Sequence, residues 1–131
     1  MPHAPLTLTD DHALNLDSVR VNASALVNHD TITWASPAAY PAKMQVYHGE
    51  TENHDVIVAN GTPAESFVDA AERPMFDSYS DYLALYGAAR LIAESAVPRV
   101  PAARLLSTGL RARLGIGDAA APSDTRAAKR A

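Results

Sequence analysis

Arg73-Pro74-Met75-Phe76-Asp77-Ser78-Tyr79-Ser80-Asp81 divides this chain into a front half of short β-type runs and a rear half of helical periodicity. Pro74 stops whatever precedes it, because proline cannot donate to a ladder or continue a helix. Ser78 or Ser80 can cap a helix, with Asp81 placed three residues after Ser78 in the manner of a capping box. Beyond this stretch Tyr82, Leu85, Tyr86, Ala89, Ile92, Ala93 and Ala96 recur on one stripe, which predicts a helix over 77–96. Gly87 inside that helix costs on the order of 1 kcal/mol relative to alanine. With Ala88 and Ala89 it leaves a flat face that another backbone can approach. Val97-Pro98 ends the helix, and Pro101 suits the first turn of a second one over 101–114, carrying Leu105, Leu106, Leu110 and Leu114. Residues 117–131, rich in Ala, Ser, Pro and charge, read as a flexible tail.

Upstream of the divide, β-type runs come one after another. Leu6-Thr7-Leu8-Thr9 alternates, and Asp10-Asp11-His12 suits a turn. Leu14, Leu16, Val19 and Val21 keep a period of two with a slip near Asp17-Ser18, which predicts a bulge or bend. Thr31-Ile32-Thr33-Trp34-Ala35 is a further β-branched and aromatic run. The clearest hairpin joins Lys43-Met44-Gln45-Val46-Tyr47-His48 to Asp55-Val56-Ile57-Val58-Ala59 across a polar loop. Its alternation puts Met44, Val46, Val56 and Val58 on the core face, with Lys43, Gln45 and Tyr47 opposite. Asn60-Gly61-Thr62-Pro63 then stops the strand. The expected fold is therefore α+β: an antiparallel sheet of five to six strands within 5–76, then two C-terminal helices. A helix stripe that needs an apolar platform points to packing on a partner subunit's sheet, with Tyr82, Tyr86, Ala89 and Ile92 as the dimer interface.

Composition narrows the function. The 131 residues suit one domain, over 1–116, and 47% hydrophobic content can build a core, although only two Phe and one Trp are present to fill it. The net charge of −4 gives no global reason to bind nucleic acid. Charge is uneven, however: residues 1–70 hold nine acids against Arg20 and Lys43, while seven of the nine later bases fall between Arg99 and Arg130. With no cysteine, neither a disulfide framework nor a thiol nucleophile is available. No apolar run is long enough to span a membrane, and the first residues lack the basic and apolar blocks of a signal peptide.

Catalytic signatures are missing as well. There is no Gly-rich phosphate loop, no HExxH, no nucleophile elbow and no Cys/His cluster, so neither an enzyme nor a cofactor is expected. His48 and His54 flank the hairpin loop beside Asp55, a donor set that would suit a transition metal. Loop histidines are more often solvated, and no metal is expected. A row of one cation, one amide and one aromatic at Lys43, Gln45 and Tyr47 would suit phosphate, base edge and base plane of a single-stranded RNA. Such a row is also what an ordinary solvent-facing hairpin presents.

The order of these elements resembles the coat proteins of small single-stranded-RNA bacteriophages, the leviviruses. The matching pieces are Thr33-Trp34-Ala35-Ser36, Lys43 to His48 with a polar loop containing Asn53, Pro74-Met75-Phe76 to Ser80-Asp81, and Pro98-Arg99-Val100-Pro101-Ala102. Together they span about residues 5–110. The resemblance implies a homodimer that assembles into an icosahedral shell and packages genomic RNA, a virion component assembled in the host cytoplasm. By the same resemblance Lys43, Gln45 and Tyr47, with Ile57 and Ala59 beside them, are the RNA-binding face. A head–tail connector or decoration protein of a tailed phage, and a monomeric ligand-binding domain, are the alternative expectations.

Overall fold

A computed structural model describes residues 2–68, 72–88 and 90–117. Five strands, β1 (Ala13–Leu16), β2 (Val19–Asn22), β3 (Val56–Ala59), β4 (Thr62–Glu65) and β5 (Arg99–Val100), form one sheet in the order β3-β4-β1-β2-β5. Two helices, α1 (Tyr79–Tyr86) and α2 (Thr108–Leu114), complete an α+β fold. Three of the strand pairings are antiparallel; β2 and β5 run parallel, so the sheet is mixed rather than wholly antiparallel. The parallel pair is permitted by the long return between the strands, since only a tight turn forces an antiparallel neighbour.

Two tight turns set the register. Asp17 and Ser18 both have positive φ, 50° and 64°, and join β1 to β2 so that Leu16 faces Val19. The bulge or bend expected at this point is a two-residue hairpin turn, whose twist matches that of the flanking strands. Asn60 (φ 47°) and Gly61 (φ 80°) do the same between β3 and β4, pairing Ala59 with Thr62. The hairpin expected between 43–48 and 55–59 does not form. Asn60-Gly61 is the stronger local signal, and it turns Val56–Ala59 back onto Thr62–Glu65 instead of ending the strand.

The consequence of that re-pairing is an inverted face. Cross-strand partners share a face, so Ile57, Ala64, Leu14, Val21 and Val100 make one apolar row across all five strands. Val56 and Val58, expected in the core, stand on the opposite face and are 45% and 74% exposed. Pro63 in β4 has no N–H to offer β1, and the two strands meet only at Leu14 and Ala64. Leu6 to Thr9 keeps its alternating burial but forms no strand, and residues 33–47, including Trp34, run exposed and irregular.

Val21, Ala25, Leu26, Leu106 and Leu110 form the buried core, with Leu14, Leu16, Val19, Val100, Leu114 and Ile116 packed against it. Leu110 and Leu114 of α2 thus pack over the Leu14, Val21 and Val100 part of the apolar row of the same chain. The second helix begins later than the expected 101–114: a 3-10 turn at Ala103–Leu105 precedes it. Ser107 then accepts from the Leu110 N–H at 3.3 Å as the cap of α2. Gly115 (φ 67°) ends the helix, and the Ile116 N–H returns to the Arg111 carbonyl at 3.0 Å while its side chain rejoins the core. The first helix is also shorter than 77–96. Gly87 takes φ 73° and closes α1 by donating to the Leu83 carbonyl at 2.8 Å, so the glycine is a stop and not an interior flat spot. The tail expected over 117–131 lies outside the described residues from 118 onward.

Candidate functional site

The face opposite the apolar row carries charge. Asn15 pairs with Arg20, and Arg20 with Arg99, in register across β1, β2 and β5, while Glu65 lies on β4. Arg20 is 2% exposed and Glu65 9%. Charges buried this deeply persist only when paired and hydrogen-bonded. Glu65 is accordingly saturated: Oε1 accepts from the Ala13 N–H at 2.9 Å and from Arg99 Nη1 at 3.2 Å. Its Oε2 accepts from Arg99 Nη2 and from His54 Nε2, the latter at 3.2 Å. Arg99 also donates to Asn22 at 2.9 Å, which fixes the guanidinium over the sheet.

His54 reaches this face from the loop before β3. The Ser95 N–H points at its Nδ1 at 3.0 Å, so Nδ1 is an acceptor and the ring proton sits on Nε2, directed at Glu65. Arg20 Nη1 stands 2.7 Å from Nδ1 and 2.8 Å from Nε2; the lone pair on Nδ1 is the one it can address. Burial and the neighbouring Arg20 charge push His54 below its ordinary value of 6.5, against the opposing pull of Glu65. The ring is neutral, and both its nitrogens are engaged.

His12 differs. It is half-buried at the mouth of β1, and among the described residues its ring has no hydrogen-bond partner. Burial lowers its pKa, Glu65 and Asp11 raise it, and His48 and Arg99 lower it, leaving it below 6.5. The His48 ring centroid lies 6.2 Å away, held edge-on by Phe67 at 5.4 Å and Phe76 at 5.1 Å. For Glu65, burial pushes the carboxyl up, but the Arg99 hydrogen bond, the Ala13 N–H and the Arg99 charge outweigh it and hold it below 4.5. A neutral imidazole with a free ring, beside a carboxylate kept ionised, can accept and return a proton.

The residues expected to bind RNA are not assembled into one face. Lys43, Gln45 and Tyr47 lie on the exposed irregular segment, with Tyr47 82% exposed. Ile57 and Ala59 are half-buried in β3, paired with Ala64 and Thr62. Of the expected dimer residues, Ala89 lies outside the described residues, and Ile92 falls beyond α1 in irregular chain. Tyr82 is used internally: Arg73, 3% exposed, lies over its ring at 4.9 Å, and its hydroxyl accepts from the Arg90 N–H at 3.1 Å. Arg73 in turn pairs with Glu50 at 2.7 Å, and Arg90 covers the Tyr86 ring at 5.3 Å. His48 and His54 do not converge with Asp55, and no group of three or more His, Cys, Asp or Glu among the described residues is placed to hold a metal ion.

Sequence reasoning passed over Arg20, His12, Glu65 and Arg99. The available signal was Arg20, a lone base set between Val19 and Val21 in a strand of an otherwise acidic half. A charge at that position must either face solvent or find a buried carboxylate.

No curated protein and no solved structure matches this chain. A family model does, that of the Hint domain, over residues 1–71, more than half of the 131. His12, Arg20, His54 and Glu65 all fall inside the matched region, and the chain belongs to the Hint domain family.

Proposed function

We propose that this chain is an autoprocessing domain that acts on a peptide bond of its own polypeptide, with His12 moving the proton. Hint domains are associated with self-splicing or autoprocessing. The observation that carries the reading is His12 itself, a half-buried ring with no hydrogen-bond partner among the described residues, in the field of the buried Glu65 and in the family-matched region. The expectation of no chemistry rested on the absence of familiar motifs. A self-directed reaction needs fewer parts, because a tethered substrate arrives at very high effective concentration without a dedicated pocket.

The chain holds no thiol, so the acyl acceptor it can offer is a hydroxyl oxygen or water. As the oxygen attacks the carbonyl carbon, its proton passes to His12. The C–N bond then breaks, and the same proton returns to the departing amide nitrogen. A neutral imidazole is the form this needs, and the depressed pKa of His12 keeps it so at neutral pH.

The test is the full chain fused at both ends to reporter domains and followed by intact-mass spectrometry. We expect fragments whose masses place the break at one junction, faster with hydroxylamine if an ester forms, and absent in His12→Ala. An intact fusion under all conditions, or the same fragments from His12→Ala, overturns the reading. Shell assembly with RNA held by Lys43, Gln45 and Tyr47 is the second proposal, favoured by the exposure of all three side chains along 33–47. Closed particles by electron microscopy, with a nucleic-acid-rich absorbance ratio, would support it.

A further inference from the structure

Resting on the autoprocessing reading, we propose that Glu65 is the positioning residue of the His12 site: one carboxylate oxygen holds the amide just after His12, and the other holds His54 and Arg99. The Ala13 N–H donates to Oε1 at 2.9 Å across a 52-residue separation, which ties the start of β1 to the end of β4. The ladder beside it is short, since β1 and β4 pair only at Leu14 and Ala64 and Pro63 has no N–H to give β1. The backbone around His12 is therefore held from two sides: the His12 carbonyl accepts from the Ala23 N–H at 2.9 Å just past β2, and the next amide is held by the Glu65 side chain.

His54, whose two ring nitrogens are engaged by Ser95, Arg20 and Glu65, does not act on the reacting atoms. It fills the lone pairs that Glu65 would otherwise leave unmet in the interior. Arg99 reaches Glu65 from the far edge strand, so the site draws on residues 99–100 as well as on the family-matched region. The charges acting on His12 come from Glu65 on β4, Arg99 on β5, His48 on the preceding segment and Asp11 beside it.

Two substitutions separate positioning from mere packing. Glu65→Gln keeps the acceptor for Ala13 and removes the charge, and Arg99→Gln removes the opposing charge. Followed by NMR titration of the full chain, the His12 midpoint should move acidward in Glu65→Gln, because the carboxylate charge that raises it is gone. It should move in the opposite direction in Arg99→Gln. A merely structural Glu65 would loosen the site and let His12 rise toward its ordinary value in Glu65→Gln, which overturns the proposal. Should Glu65→Gln fail to fold, Arg99→Gln decides: a His12 midpoint that stays put or moves acidward there overturns the proposal. Exchange protection of the Ala13 amide should survive in Glu65→Gln and be lost in Glu65→Ala; equal protection in all three chains also overturns it. If His12 responds as stated but the fusion is never cleaved, the autoprocessing reading fails and the role of Glu65 toward His12 stands.

Discussion

Leu110→Ala is the substitution that separates a chain whose helix covers its own sheet from one whose helix covers a partner's. Leu110 is 4% exposed and sits in the cluster formed by Val21, Ala25, Leu26 and Leu106. Truncating a leucine so placed costs about 2–5 kcal/mol, the spread reflecting how far the surroundings collapse into the space. Leu114 and Ile116 are only half-buried beside it and can shift inward, so the lower middle of that range, about 3 kcal/mol, is expected. For a domain of this size each kcal/mol moves the midpoint by roughly 4 °C, giving a fall of roughly 12 °C. Thermal melts followed by circular dichroism, run at low and high protein concentration, measure it. A self-packed helix gives the same midpoint at both concentrations, whereas a partner-packed helix gives a midpoint that rises with concentration. A loss under about 1 kcal/mol, the level of a surface change, or a concentration-dependent midpoint, refutes the intrachain core.

The polar face and the turns carry two further expected outcomes. His12 and His54 have pKa values below 6.5 in the folded chain, so the unfolded chain binds more protons just below that pH, and stability should fall as pH drops beneath 6.5. Glu65, held below 4.5, adds a second loss beneath that value, and urea midpoints across the acid range should therefore decline in both windows and stay level from 6.5 up to where other groups titrate. A midpoint that rises on mild acidification contradicts the assignment of neutral histidines. At the β3–β4 turn, Gly61→Ala places a Cβ at φ 80° and 2.7 Å from His3 Nδ1. It should cost about 1–2 kcal/mol for the left-handed backbone and release the His3 amide from the Asn60 carbonyl, seen as faster exchange at that amide.

Much of the architecture was legible, and its failures share one cause. The α+β class, the β1–β2 alternation and the leucines around α2 were readable, because periodicity acts locally, but the strands were not confined to 5–76: β5 (Arg99–Val100) joins the sheet from the half expected to be helical. Strand pairing was not readable, because two candidate partners competed for Val56–Ala59. The run from Lys43 to His48 had the better alternation, but Asn60-Gly61 had the better turn, and closing a loop of about two residues carries less entropy loss than closing one of about six. Gly87 and Ser107 shortened both helices for similar reasons: a left-handed stop and a side-chain cap each outweigh a continuing apolar stripe. Of the candidate site, His54 was noticed for the wrong partners. Its true neighbours, Arg20, Glu65 and Ser95, lie 34, 11 and 41 residues away, and nothing local links them.

The two faces of the sheet place opposite demands on the same four-residue strand. In β2, Val21 must enter the core while Arg20, its immediate neighbour, must meet His54 on the other side. A strand repeats every two residues, so a slip of one position would bury an arginine among leucines and carry a valine to His54. Such a slip would strip the Arg20 guanidinium of the His54 ring and carbonyl it donates to, and a buried donor left unmet costs about 1–3 kcal/mol, more for a charged group. The register is thus held by two penalties of the same sign, one apolar and one electrostatic. The turn at Asp17 and Ser18 supplies the third constraint, since two positive φ values in succession close only a two-residue loop with Leu16 opposite Val19. The hairpin that builds the core is for this reason also the element that aims Arg20 at His54 and leaves the Ala13 N–H free to donate to Glu65.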